Sequence, residues 1–202
     1  MNTSANTSRE VSSSPVSSPV VVAPATRSYD IDTSHSSATF KVRHLMVSNV
    51  RGELGQISGR VVYDEADVTR STVEATIDAK TINTRDEKRD AHLRSPDFFD
   101  VETYPVISFK STRVRATNGG GLLVTGNLTM RGVTREITLD VEDVSAEVND
   151  PWGNVKRGVS ARARLNRKDF EVSWNAALDS GGVLVGDEVS INLELELGRK
   201  AG

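Results

Sequence analysis

The sequence predicts an all-β domain of antiparallel strands, on three observations. Apolar and polar residues alternate with period two from Tyr29 almost to the C-terminus. Clusters of Gly, Asn, Asp and Pro punctuate these runs where hairpins would reverse the chain. Each run has one apolar and one polar face, which suits antiparallel pairing, because parallel strands buried on both faces read as continuous apolar stretches. Roughly eight such strands can close into an up-and-down barrel or split into a sandwich, and the period alone leaves both open.

Residues 1–27 carry seven Ser, three Thr and three of the six Pro, with no aromatic residue and no Gly. So little apolar surface cannot offset the entropy of ordering, and the stretch reads as a disordered leader before a domain over 28–198 and a short tail, 199–202. Within the domain, Phe40, Val42 and His44 share one face, with Lys41 and Arg43 on the other. Val73, Ala75, Ile77 and Ala79 alternate with Thr72, Glu74, Thr76 and Asp78. Ile137, Leu139 and Val141 repeat the pattern, as do Ala161, Ala163 and Leu165, and the run from Val189 to Leu197 is the cleanest. Reversals are expected at Asn118–Gly121, at Asp150-Pro151-Trp152-Gly153-Asn154 and at Asp179-Ser180-Gly181-Gly182.

One segment departs from this texture. Thr84-Arg85-Asp86-Glu87 fits a capping box with Thr84 as the cap, so a short helix is expected from about Arg85 to Arg94. Ser95-Pro96-Asp97 then ends it and opens a turn that throws Phe98 and Phe99 onto an apolar surface. Such an insertion would cover one end of a barrel or pack against its wall.

Composition narrows the functional classes. The 202 residues contain no Cys, which excludes disulfides, thiol catalysis and thiolate zinc sites. A net charge of −3 argues against nucleic acid as a partner. The sequence has no run of apolar residues long enough for a membrane helix and no recognisable signal peptide, so a cytoplasmic location is expected. There is no nucleophile elbow, Walker A loop or dinucleotide-binding glycine pattern, and Gly119-Gly120-Gly121 lacks the following helix that a phosphate loop needs. His35, His44 and His92 lack the spacing that would place two ligands on one metal, so neither metal nor cofactor is expected.

His44 points to the apolar side, where it is either a hydrogen-bonded core histidine or a polar anchor in a ligand cavity. His92 lies on the short helix among Arg85, Lys88, Arg89 and Arg94, a group that could receive an anionic head. The alternative is a solvated helix face with intrahelical pairs such as Asp90 with Arg94.

Several runs together resemble the YceI-like family. They are Tyr29-Asp30-Ile31-Asp32, Phe40-Lys41-Val42-Arg43-His44-Leu45, Arg89-Asp90-Ala91-His92-Leu93-Arg94-Ser95-Pro96-Asp97-Phe98-Phe99-Asp100, Pro105-Val106-Ile107-Ser108-Phe109 and Gly126-Asn127-Leu128-Thr129-Met130-Arg131-Gly132. Tyr29 and Leu54 stand where the family usually carries Trp and Phe. The resemblance implies an extended, eight-stranded, lipocalin-like barrel whose lumen holds a long-chain amphiphile, such as a polyisoprenoid or isoprenoid quinone. It implies no enzymatic activity, and it suggests a possible homodimer.

On this reading the lumen wall includes Phe40, Val42, His44, Ala75, Ile77, Phe109 and Leu128, while His92, Arg94 and Arg89 hold the head group. Small inward residues, Ala75, Ala79, Ala161 and Ala163, would leave room for the chain. Two rivals stand beside the carrier: an interaction module whose barrel is filled by its own side chains, and a histidine-dependent enzyme acting on a prenyl substrate.

Overall fold

The computed structural model describes residues 26–178 and 181–200, together with Met1. Its strands are β1 (Thr26–Ile31), β2 (Ser37–His44), β3 (Ser48–Glu53), β4 (Gln56–Asp64), β5 (Thr72–Asp78), β6 (Val106–Ala116), β7 (Leu122–Met130), β8 (Val133–Val144), β9 (Val148–Asn149), β10 (Val155–Asn166) and β11 (Val185–Arg199), with one helix, α1 (Glu87–Arg94). Eight strands close a ring in the order β11-β1-β4-β5-β6-β7-β8-β10, and β10 returns to β11. Every ladder in the ring is antiparallel. Closure settles the choice left by the period: the domain is a barrel.

β1 and β2 occupy the same edge of β11 in succession. Ile31 pairs with Leu197, the chain steps out through residues 32–36, and Ser37 resumes the ladder opposite Glu194. On its outer side β1 pairs with β4, whereas β2 pairs with β3. The wall is therefore extended beyond the ring by the β2–β3 hairpin.

β1 opens at Thr26, so Thr26 and Arg27, the last two residues of the expected leader, belong to the sheet, and residues 2–25 lie outside the described residues. At the other end β11 runs through Arg199, the first residue of the expected tail. The expected reversals at Asn118–Gly121 and Asp150–Asn154 join β6 to β7 and β9 to β10. The third falls partly outside the described residues, although Ala177 and Val183 bridge across it.

The helix differs from its expectation in detail. Its cap is Asp86, whose carboxylate accepts the Arg89 N–H at 3.0 Å. Thr84 instead donates to Asp90, a buried carboxylate that also accepts the Thr84 backbone N–H at 2.8 Å. Asp90 is thus committed to Thr84, and the expected Asp90–Arg94 pair is replaced by a bond from Arg94 Nη1 to the Ile82 carbonyl at 3.4 Å.

Packing under α1 joins Phe98, Val101, Ile107, Met130, Phe170 and Val172, with Phe99 and Leu93 against them. Phe98 does land on an apolar surface, and the insertion closes over one end of the barrel. Around Tyr29, Phe40 and Leu197 a second cluster fills the seam where β1 and β2 meet β11.

Candidate functional site: the barrel lumen

The inward faces of the ring do not fill the space between them. They leave a cavity of about 590 Å³, within the size range of sites that bury small ligands. Along β11 its wall runs from Val185 to Leu197, so the cavity follows the strand for most of its length. Valine, leucine and isoleucine side chains from β4, β5, β7, β8, β10 and β11 dominate the lining.

All seven residues read from the sequence as wall, Phe40, Val42, His44, Ala75, Ile77, Phe109 and Leu128, border this cavity. Ala75, Ala161 and Ala163 also border it, and their short side chains leave the width that larger residues would occupy. Ala79 does not: it is fully buried in the single turn Ala79–Thr81 and packs below α1. Gly126 shapes the wall by omission. A Cβ there would lie 2.6 Å from Phe109 Cζ, so only glycine lets the Phe109 ring lie across β7. Of the two unusual residues, Leu54 borders the cavity, whereas Tyr29 is buried beside its end.

One end is polar and lies under α1. Asp86, Lys88, Arg89 and His92 border the cavity there, with His44 from β2 and Trp174 from the segment before β11. The His92 ring stands edge-on to Phe98, at 4.9 Å, and to Trp174, at 4.7 Å, while its Nε2 bonds Asp97 Oδ2 at 2.9 Å. Arg89 donates to the Thr84 hydroxyl at 2.7 Å and to the Thr84 carbonyl at 2.9 Å, which fixes its guanidinium at the rim. Arg94 is not among the residues around the cavity: its guanidinium turns to the Ile82 carbonyl, so His92 and Arg89 come together without it.

Two buried arginines at the ends of β10 complete the lumen. Arg167, at the α1 end, donates to the carbonyls of Gly186 (2.9 Å), Val172 (2.6 Å) and Trp174 (2.9 Å), and lies 3.4 Å from Asp187 Oδ1. Burial lowers the pKa of this guanidinium, and the Asp187 charge opposes that shift. Arg157, at the opposite end, bonds Glu65 Oε1 at 2.6 Å and lies over the Tyr63 ring at 4.9 Å. Beside it, burial raises the pKa of the Tyr29 hydroxyl, which donates to Glu147 at 2.6 Å.

Neither arginine was singled out from the sequence, yet the signal was present. Arg157, Val159, Ala161, Ala163, Leu165 and Arg167 share one parity, so the inward face of β10 carries a cation beyond each end of its apolar run. Trp174 lies in a stretch with no period, and nothing in the sequence marked it.

Outside the lumen, Asp32, His35 and Glu196 form the one acidic–histidine group of metal-ligating type among the described residues. Lys156 already supplies its cation, with Nζ 2.9 Å from both Asp32 and Glu196.

The profile of the YceI-like domain matches residues 29–197. The chain belongs to the YceI-like family. Among its relatives, a UPF0312 protein of Vibrio campbellii is 40% identical over 146 residues, 71% of this chain and 77% of that protein. A UPF0312 protein of Staphylococcus aureus is 36% identical over 168 residues, 83% of this chain and 95% of its own. Three solved structures share the fold. Campylobacter jejuni YCEI protein superposes with a TM-score of 0.65 at 28% identity, covering 79% of this chain and 90% of that one. BcnA from Burkholderia cenocepacia gives 0.72 at 23% identity, with 82% and 98% coverage. A polyisoprenoid binding domain from Saccharophagus degradans gives 0.59 at 17% identity, with 85% and 98% coverage.

Proposed function

We propose that this YceI-like protein binds a long-chain amphiphile, such as a polyisoprenoid, an isoprenoid quinone or a similar lipid, in the barrel lumen and acts in its transport, storage or sequestration. The observation that carries this reading is the apolar cavity of about 590 Å³ running from α1 to Arg157. Each methylene that enters such a wall contributes about 0.8 kcal/mol, so a long chain can be held tightly with no reacting group. The naming of the Saccharophagus degradans domain for polyisoprenoid binding supports the same ligand class.

Phe40, Val42, His44, Ala75, Ile77, Phe109 and Leu128 take the chain, and His92 and Arg89 at the α1 end take the polar head. The unfilled lumen disfavours the reading of the barrel as a solid interaction module. Binding rather than chemistry is the better account of the α1 end: the imidazole of the His92–Asp97 pair is wedged between Phe98 and Trp174.

Native mass spectrometry of protein purified from its own host, followed by organic extraction, tests the proposal. A stoichiometric, chemically intact isoprenoid or quinone is the expected result. An unliganded mass together with no uptake on titration would overturn it, and release of altered lipid that stops in His92→Ala would point to an enzyme.

A further inference from the structure

The β2–β3 hairpin ends in the most exposed apolar cluster beside the lumen. Leu45, Met46 and Val47 are 39%, 51% and 77% exposed, and Val183 lies outside on the neighbouring segment. The tip sits at the α1 end of the cavity, because Leu45 N–H donates to the carbonyl of Leu184, itself a lining residue next to His44. Leu45 and Met46 both hold left-handed backbone, with φ of 51° and 59°. That conformation is uncommon for a non-glycine residue and unfavourable, and here it holds three large apolar side chains in solvent.

The hairpin behind this tip is positively charged. From Ser37 to Glu53 it contains Lys41, Arg43 and Arg51 and a single acidic residue, Glu53, at the end of β3 away from the tip. Lys41 and Arg51 are direct cross-strand partners, an arrangement that repels. Among the described residues none of the three is ion-paired, and Arg43 donates only to the Met46 carbonyl at 2.7 Å. Two nearby acids already have cations: Asp86 faces Arg89, and Asp187 faces Arg167 and Lys168. An apolar tip on a cationic stem fits a surface that is anionic outside and apolar within.

We propose that the β2–β3 hairpin docks this protein on an anionic lipid bilayer, with Met46 and Val47 in the interfacial layer and the α1 end of the lumen facing the membrane. Docking rests on the reading of the lumen as a lipid-chain site, for which it supplies the route of loading and release. Each cation near an anionic leaflet strengthens binding by about fivefold, and the attraction weakens as salt shortens its range.

Co-sedimentation of the full chain with phosphatidylcholine vesicles, with and without phosphatidylglycerol, tests this. Binding is expected only to the anionic vesicles. Lys41→Gln/Arg51→Gln should weaken it by about 25-fold at low salt, and Met46→Asp/Val47→Asp should abolish it. Uptake of a polyprenol delivered from detergent solution should be unchanged in both variants. Docking is overturned if the unaltered protein stays in the supernatant, or if the variants bind vesicles as well as it does. It is also overturned if sedimentation velocity shows the tip joining two copies. Failure of the lumen reading is distinct: it appears as no polyprenol uptake from detergent by any of the proteins.

Discussion

Replacing Ala161 by leucine would separate a lumen that holds a chain from one that is merely unfilled. Ala161 is 3% exposed, sits in the middle of β10 between Val141 and Leu193, and borders the cavity. Leucine adds three carbons, which would stand where ligand methylenes otherwise lie. If each displaced methylene forfeits about 0.8 kcal/mol, the loss is about 2.4 kcal/mol, or roughly 50-fold in Kd. The unliganded protein should respond in the opposite sense, because wall atoms that faced empty space gain neighbours; about 1 kcal/mol of added stability would raise Tm by about 2–4 °C. Arg162→Ala, next along the strand but facing outward to Glu142, serves as the control and should leave binding unchanged. Fluorescence titration with a polyprenol probe and thermal melts of the empty proteins give the two readouts. Unaltered affinity in a folded Ala161→Leu protein would refute the assignment of the chain to the lumen, as would an equal loss in Arg162→Ala.

Three further outcomes follow from the packing and charge. Phe170→Ala empties a site that is 1% exposed and should cost about 3–5 kcal/mol in chemical denaturation, whereas Phe109→Ala, whose ring borders the cavity, should cost less. Arg167→Met strands the carbonyls of Val172, Trp174 and Gly186 and should destabilise by about 3 kcal/mol, with faster hydrogen exchange at 172–186. Lys156→Met removes the cation shared by Asp32 and Glu196, at a cost of about 1 kcal/mol for a partly exposed network. Bonding to Lys156 holds the Asp32 carboxyl far below its ordinary value, and the bond to Asp32 lifts the Lys156 ammonium above its own. The Asp32 contribution is therefore complete above its unfolded pKa of about 3.9 and is lost as pH falls through the folded value. The Lys156 contribution is complete below about 10.4 and is lost as pH rises through its own raised value. Urea titrations should show the two proteins diverging most near neutral pH and converging in acid.

Strand parity made most of the barrel legible. Phe40, Val42 and His44, or Ala161, Ala163 and Leu165, face inward because a two-residue period admits one buried face, and the cavity wall followed from that. Period says nothing about which edges meet, so the sharing of one β11 edge by β1 and β2 could not be read. The helix start was misplaced for a local reason. Thr84 and Glu87 satisfy the capping-box spacing, but Asp86 is an equally strong cap, and Thr84 is drawn away by the buried Asp90. The direction of the Arg94 side chain was unreadable for a similar reason, since a helical wheel cannot show that the Ile82 carbonyl lies within its reach. Arg157 and Arg167 were legible in parity and missed because a charged residue beyond an apolar run reads as the end of the strand.

Closure through β11 also fixes when this protein can exist. β11 follows every other described strand of the barrel in sequence, and it pairs with β10, with β1, the first of those strands, and with β2. A ribosome-bound chain lacking it holds β10, β1 and β2 with unpaired edges and an apolar wall open to water, the state from which strands associate wrongly. Contacts this distant in sequence close slowly, so the vulnerable interval lasts until β11 has been made and has docked. A stop codon shortly before Val185 would therefore produce a chain suited to aggregation.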